Sequence, residues 1–239
     1  MGKRSSRKTD RNESIVHALF TEKLRAESAP ERHYSRNIRP KSENQARFLD
    51  ALEDHSLVLG LGPAGTGKTY LAVSKAVEAL EHGEANRIVL CRPAVEAGES
   101  LGYLPGDVEA KLAPYLRPIY DVLIDRLGTK RLKACMAENA IEIAPIAYMR
   151  GRTLNNAFVV IDEAQNCTYG QLKMLLTRLG WNTTMVLTGD PDQCDLLPEL
   201  SGLRDIARRL EPNDRIAVVR FGAEDVVRHP LVADMLGVL

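Results

Sequence analysis

Between the apolar run Ser56-Leu57-Val58-Leu59-Gly60-Leu61 and a helically spaced segment from Leu71 to Leu80 lie eight residues, Gly62-Pro63-Ala64-Gly65-Thr66-Gly67-Lys68-Thr69. They fit the phosphate-loop pattern G-x-x-x-x-G-K-[ST] at every position, with the strand before and helix after that give the pattern its meaning. This junction constrains the fold more than any other feature. A buried strand must deliver a glycine-rich turn directly into a helix N-terminus, a construction that belongs to parallel α/β sheets. In such a loop consecutive backbone N–H groups point inward at phosphate oxygens. The helix N-terminus adds its positive pole. Lys68 supplies a flexible cation for the β- and γ-phosphates, and the Thr69 hydroxyl is a ligand for Mg²⁺. Gly62, Pro63, Ala64, Gly65, Thr66, Gly67, Lys68 and Thr69 are therefore the expected binding residues for ATP.

The rest of the chain continues the alternation. Arg87–Cys91, Ala157–Ile161, Thr184–Thr188 and Arg215–Arg220 read as further strands, with a strand also expected ahead of the loop that holds Arg150 and Arg152. Helices are predicted after Ser42, an N-cap followed by Ala46, Leu49 and Leu52, over Thr168 to Leu179, and from about Pro230. Pro93 to Glu138 is a long segment of loop and helix. The expectation is an α/β domain over residues 41–239, its mostly parallel sheet covered on both faces.

Residues 1–40 read as a basic tail with one short apolar stretch, Ile15 to Phe20. Residues 1–47 carry 12 basic and 6 acidic side chains, and the remainder carries 20 and 26. The two halves cancel to a formal charge of zero, which lacks the bulk signature of a dedicated nucleic-acid binder. The four cysteines form no CxxC pair, which fits a reducing cytosol better than a zinc site or disulfide framework. No apolar run approaches the ~18 residues of a membrane span, so no membrane partner is expected.

Phe158-Val159-Val160-Ile161-Asp162-Glu163 is an apolar strand ending in two carboxylates. Asp162 at the tip is placed to hold the Mg²⁺ shell opposite Thr69. Glu163 is placed to orient or deprotonate a water in line with the γ-phosphate, which favours hydrolysis over phosphate transfer to a small molecule. Thr188-Gly189-Asp190-Pro191-Asp192-Gln193 follows the neighbouring strand, and Gln193 is a candidate to touch the γ-phosphate or the attacking water. A plain Gly-Asp-Pro turn is the alternative.

With these residues placed, the chain resembles the PhoH family, phosphate-starvation-inducible ATPases with a superfamily 1 helicase-like nucleotide domain. The resemblance covers about residues 40–236. Beyond the phosphate loop it rests on Arg92-Pro93-Ala94-Val95-Glu96-Ala97-Gly98-Glu99, Gly102-Tyr103-Leu104-Pro105-Gly106-Asp107 and Pro145-Ile146-Ala147-Tyr148-Met149-Arg150-Gly151-Arg152-Thr153. It also rests on Asp162-Glu163-Ala164-Gln165-Asn166, on Gly189-Asp190-Pro191 with Gln193, and on Asp225-Val226-Val227-Arg228-His229. The resemblance implies a three-layer RecA-like P-loop NTPase domain. It also implies a glutamine ahead of the first strand, Gln45, that reads the adenine; a solvated helix position is the alternative for it. Longer members carry a further nuclease-like or RNA-binding domain, for which this chain has no room.

Superfamily 1 helicases close two such domains around one ATP, and a single phosphate loop lacks the second jaw. Mechanical work therefore requires a neighbouring subunit, and a closed head-to-tail ring, with a hexamer as the leading form, is the economical solution. Arg228 is the leading candidate for an arginine offered in trans to the γ-phosphate, with Arg220 behind it. Arg150 and Arg152 are candidates to line a pore or contact nucleic acid, or are surface ion pairs. Lys111, Tyr115, Arg117, Tyr120, Arg126, Lys130, Arg131 and Lys133 could track a single strand. The polar face of packed helices is the preferred reading for them. The leading function is a Mg²⁺-dependent ATPase coupled to remodelling of RNA or single-stranded DNA. The alternative is a regulatory ATPase that controls a protein partner.

Overall fold

The computed structural model describes residues 38–93, 108–193 and 201–227. The tail before residue 38, the 102–107 string, Arg228 and the helix expected from Pro230 lie outside the described residues.

The first helix, α1 (Glu43–Asp54), starts as the sequence predicts: the Ser42 hydroxyl accepts the Gln45 N–H at 3.2 Å. The strands are β1 (Leu57–Leu61), β2 (Arg87–Cys91), β3 (Ile141–Ala144), β4 (Ala157–Ile161), β5 (Thr184–Gly189) and β6 (Ala217–Arg220). The remaining helices are α2 (Lys68–Glu81), α3 (Val108–Ala137), α4 (Tyr169–Leu176) and α5 (Leu203–Leu210). Gly128, with φ 73°, breaks α3 into two helical stretches. The sheet order is β3-β2-β4-β5-β1-β6, and every pairing is parallel.

Strand pleat sorts the apolar residues into two cores. Val58, Ile88, Leu90, Phe158, Val160 and Val186 face α1, α2 and α3. Leu59, Leu61, Val89, Val159, Ile161 and Leu187 face α4 and α5. The result is a three-layer α/β/α domain, as expected from strands that are apolar along their whole length. Parallel pairing gathers all strand C-terminal ends on one edge, where ligands of such sheets bind.

Within the long segment from Pro93, the described part from residue 108 is packed helix. Leu116, Ile119, Tyr120, Leu123, Leu132 and Met136 are buried in the first core. Tyr120 is thus a core residue and has no face to offer a base. Among the described residues no helix is long and apolar enough to cross a membrane.

One close approach fixes α1 on the sheet. A Cβ on Gly60 would lie 2.7 Å from the Phe48 ring, which also stacks edge-on against Phe221 at 5.5 Å. The Gly60→Ala variant is therefore overpacked and should lose about 1–3 kcal/mol of stability. Urea unfolding followed by far-UV circular dichroism checks this; Trp181, the chain's one tryptophan, is already 84% exposed and would report little.

Candidate nucleotide site

The phosphate loop leaves β1 where β5 ends. Leu61 is in register with Gly189, and the Gly62 N–H donates to the Gly189 carbonyl at 3.1 Å. Gly62 has φ 139°, and a Cβ there would sit 2.3 Å from the Phe221 carbonyl oxygen, so no larger residue fits. Gly67, at φ 84°, turns the chain into α2.

Three contacts brace the loop backbone. The Gln45 side-chain amide donates to the Thr66 carbonyl at 2.9 Å, the Val227 N–H donates to the Gly65 carbonyl at 2.9 Å, and the Thr66 hydroxyl donates to the Pro63 carbonyl at 3.0 Å. Gln45 is 4% exposed, and its amide oxygen accepts the Lys41 N–H at 2.7 Å. It is not a solvated position. The structure sets it against the loop, one helical turn before Phe48.

Lys68 is buried and lies within the loop, its ammonium donating to the carbonyls of Gly62 at 2.6 Å and Pro63 at 2.7 Å. Burial lowers its pKa below the ordinary lysine value, against the opposing pull of Asp190, Glu163 and Asp162. The site is therefore a concentration of carboxylates around one lysine.

Asp162 follows β4 directly and is buried. Its Oδ1 accepts two hydroxyls, from Thr69 on α2 at 2.6 Å and from Thr188 on β5 at 2.7 Å. Its Oδ2 lies 3.3 Å from the Arg92 guanidinium. Glu163 adopts φ 53°, ψ 42°, a left-handed conformation that costs about 1–3 kcal/mol in a non-glycine residue and concentrates at functional sites. Its Oε1 lies 3.3 Å from Arg92, and its Oε2 accepts the Gln165 side-chain amide at 2.5 Å. Gln165 is buried and in turn accepts the Asp190 N–H at 3.1 Å, which links the acidic pair to the tip of β5.

A hydroxyl and a carboxylate oxygen, hard donors both, suit Mg²⁺ completed by phosphate oxygens and water. Among the described residues no group of three or more His, Cys, Asp or Glu side chains could hold a metal. Thr69 and Asp162 are the residues that would hold it.

Other candidates separate. Gln193 is exposed just past β5, its N–H on the Asp190 carbonyl at 3.2 Å, near the site but not in contact with the acidic pair. Arg152 is committed to a bidentate pair with Glu142, both bonds 2.7 Å, so it is an internal ion pair and not a pore residue. Arg150 is exposed, and Arg220 is paired with Glu211 at 3.1 Å. A cavity of ≈ 490 Å³ opens at the opposite end of the strands, where Lys75 bonds Glu53 and Glu78. It is far from this chemistry.

The sequence alone assigns no role to Arg92, Gln165 or Thr188. Arg92 and Gln165 stand beside recognisable motif residues, but their contacts depend on strand order. Thr188→Val removes one of the two hydroxyls on Asp162 and should raise the Mg²⁺ concentration for half-maximal activity about 10-fold or more, as loss of an outer-sphere partner does. A Mg²⁺ titration of phosphate release checks this.

A family model described as PhoH-like protein matches residues 37–239. The chain is 50% identical over 218 residues to a PhoH-like protein of Bacillus subtilis (strain 168), covering 91% of this chain and 68% of that one. It is 52% identical over 202 residues to a PhoH-like protein of Mycobacterium tuberculosis (strain ATCC 25618 / H37Rv), covering 84% and 57%. Protein PhoH of Escherichia coli (strain K12) is 49% identical over 197 residues, covering 81% and 56%. The chain thus spans 56% to 68% of the length of these relatives. Among solved structures, the large terminase of a thermophilic bacteriophage shares the fold, with a TM-score of 0.52 at 12% identity over 83% of this chain and 50% of that one. The same terminase in complex with ADP gives 0.52 over 82% and 49%.

Proposed function

The chain belongs to the PhoH family, and on that premise we propose that it is a Mg²⁺-dependent ATP hydrolase coupled to remodelling of RNA or single-stranded DNA. The observation that carries the hydrolase reading is the convergence on Asp162 Oδ1 of the Thr69 and Thr188 hydroxyls, with Glu163 beside it at the mouth of the phosphate loop.

In this reading backbone N–H groups of the phosphate loop beyond Pro63 bind the triphosphate. Lys68 turns from the loop carbonyls to the β- and γ-phosphates. Thr69 and Asp162 hold the Mg²⁺, which when bound neutralises charge on the phosphate oxygens. Glu163 orients the attacking water and accepts its proton at a carboxylate oxygen. Gln165 fixes the other oxygen of that carboxylate. Gln193, exposed just past the end of β5, is the proposed sensor of the γ-phosphate.

The proposed coupling to nucleic acid is supported by the family resemblance and by the basic character of residues 1–47. The site has one phosphate loop, so a second copy of the chain is the proposed other jaw, in a ring with a hexamer as the leading form. Arg228 is the proposed arginine against the γ-phosphate. Val227, immediately before it, is anchored to Gly65 of its own phosphate loop, so contact within one subunit is the competing arrangement. Cys91 and Cys167 are buried, and burial pushes both thiols up to about 12, which makes them poor nucleophiles.

Phosphate release from ATP with and without single-stranded RNA tests the function. Glu163→Gln should keep ATP affinity and lose turnover by about 10²–10⁴-fold, the usual share of a general base. Lys68→Ala should lose binding. Stimulation by RNA supports the remodelling function; hydrolysis indifferent to RNA and DNA supports a regulatory ATPase with a protein partner. Turnover by Glu163→Gln equal to the parent overturns the hydrolytic site.

A further inference from the structure

The acidic pair carries its own counter-ion. Arg92 is the residue after β2, and the β2–β4 register, Cys91 opposite Ile161, brings it level with Asp162. Its side chain is 17% exposed, and its guanidinium reaches both carboxylates, at 3.3 Å from Asp162 Oδ2 and 3.3 Å from Glu163 Oε1. With Gln165 on Oε2, both oxygens of Glu163 are occupied. A base that takes a proton from water needs one of them within hydrogen-bond reach of that water.

The two restraints are not alike. Gln165 is buried and tied at its other end to the backbone of Asp190, so the scaffold fixes it. Arg92 holds by two contacts of 3.3 Å, looser than the roughly 2.7–2.9 Å of a tight charge-assisted bond. Arg92 is therefore the partner that can leave. Lys68 does not take its place: its ammonium is on the carbonyls of Gly62 and Pro63, and in the proposed function it leaves them for the phosphates.

We propose that Arg92 is a positioning residue that restrains hydrolysis: it holds Glu163 Oε1 away from water and competes with the divalent cation for Asp162, and it lets go before the site turns over. The half of this inference that concerns Glu163 rests on the reading of Glu163 as the base; the half that concerns Asp162 does not. Release of Arg92 opens Oε1 to water and Oδ2 to the metal shell in one movement, because one side chain closes both.

The test uses Arg92→Met, which keeps an unbranched apolar stem and removes the charge. Mn²⁺ binding to the ADP-loaded protein is titrated by electron paramagnetic resonance. Single-turnover ATP hydrolysis is measured without polynucleotide. The expected results are Mn²⁺ binding about fivefold tighter, the effect of relieving a half-buried ion pair, and a basal hydrolysis rate raised about fivefold or more with ATP affinity unchanged. Arg92→Lys keeps a charge without the two-pronged reach. It should leave Mn²⁺ affinity within about twofold of the parent. Should Arg92→Met fail to fold, Arg92→Gln replaces it with the same expectations. Lower hydrolysis, or hydrolysis and Mn²⁺ affinity both unchanged, overturns the proposal. The double variant Arg92→Met with Glu163→Gln separates the two readings. If it hydrolyses ATP as fast as Arg92→Met alone, the base assignment fails; if it is inactive while Arg92→Met is fast, both stand.

Discussion

Asp162 Oδ1 is the point through which the site is stitched together. The two hydroxyls it accepts come from the first turn of the helix after the phosphate loop and from the strand beside its own. Three elements far apart in the chain meet at one oxygen. Burying a carboxylate is costly unless its oxygens find partners: buried Oδ2 has no hydrogen bond and only the Arg92 charge at 3.3 Å, while Thr69 and Thr188 satisfy Oδ1. The parallel sheet makes this possible by ending β1, β4 and β5 on the same edge.

A second set of contacts holds the loop from outside. Phe48 seats α1 on Gly60 and Phe221, and that seating brings Gln45 to the Thr66 carbonyl. Asp225 locks the last described stretch to the start of the same helix. It is buried, which alone would raise its pKa, but hydrogen bonds from Ser42, Asn44 and the Gly222 N–H outweigh burial and hold it below the ordinary carboxylate range. Its contribution is therefore present at neutral pH and is lost only as pH falls below that range. The consequence is a loop whose outer wall is made from both ends of the described chain, α1 and residues 221–227, meeting over β1 and β6.

What was legible in the sequence was what depends on neighbours in the chain. Gly62 to Thr69 and Asp162-Glu163 carry their chemistry in local order, and apolar runs such as Phe158–Ile161 announce buried parallel strands. Arg92 could not be read in this way. Its partners lie 70 and 71 residues away and become neighbours only because β2 pairs with β4, a fact of strand order. Arg152 misleads for the same reason: as a sequence feature it is a cation in a glycine-flanked loop, while in the fold the carboxylate of Glu142 on the edge strand β3 consumes it. Tyr120 stands among basic residues in the sequence, yet helical periodicity turns it inward to the core.

The charge arithmetic of the site argues against a self-sufficient hydrolase. Asp162, Glu163 and Asp190 surround a single lysine, and among the described residues the other cation in contact with them is Arg92. Each of the two already has partners. A triphosphate entering this field brings more negative charge than Mg²⁺ removes, and the γ-phosphate oxygens of the transition state call for a further cation. Arg92 is committed to the acidic pair, so the proposed source is an arginine beyond the described residues or on another subunit. In the proposed function, turnover therefore waits on a movement of charge that nucleotide binding alone need not cause. That is the physical requirement for an ATPase whose rate is set by something else it binds.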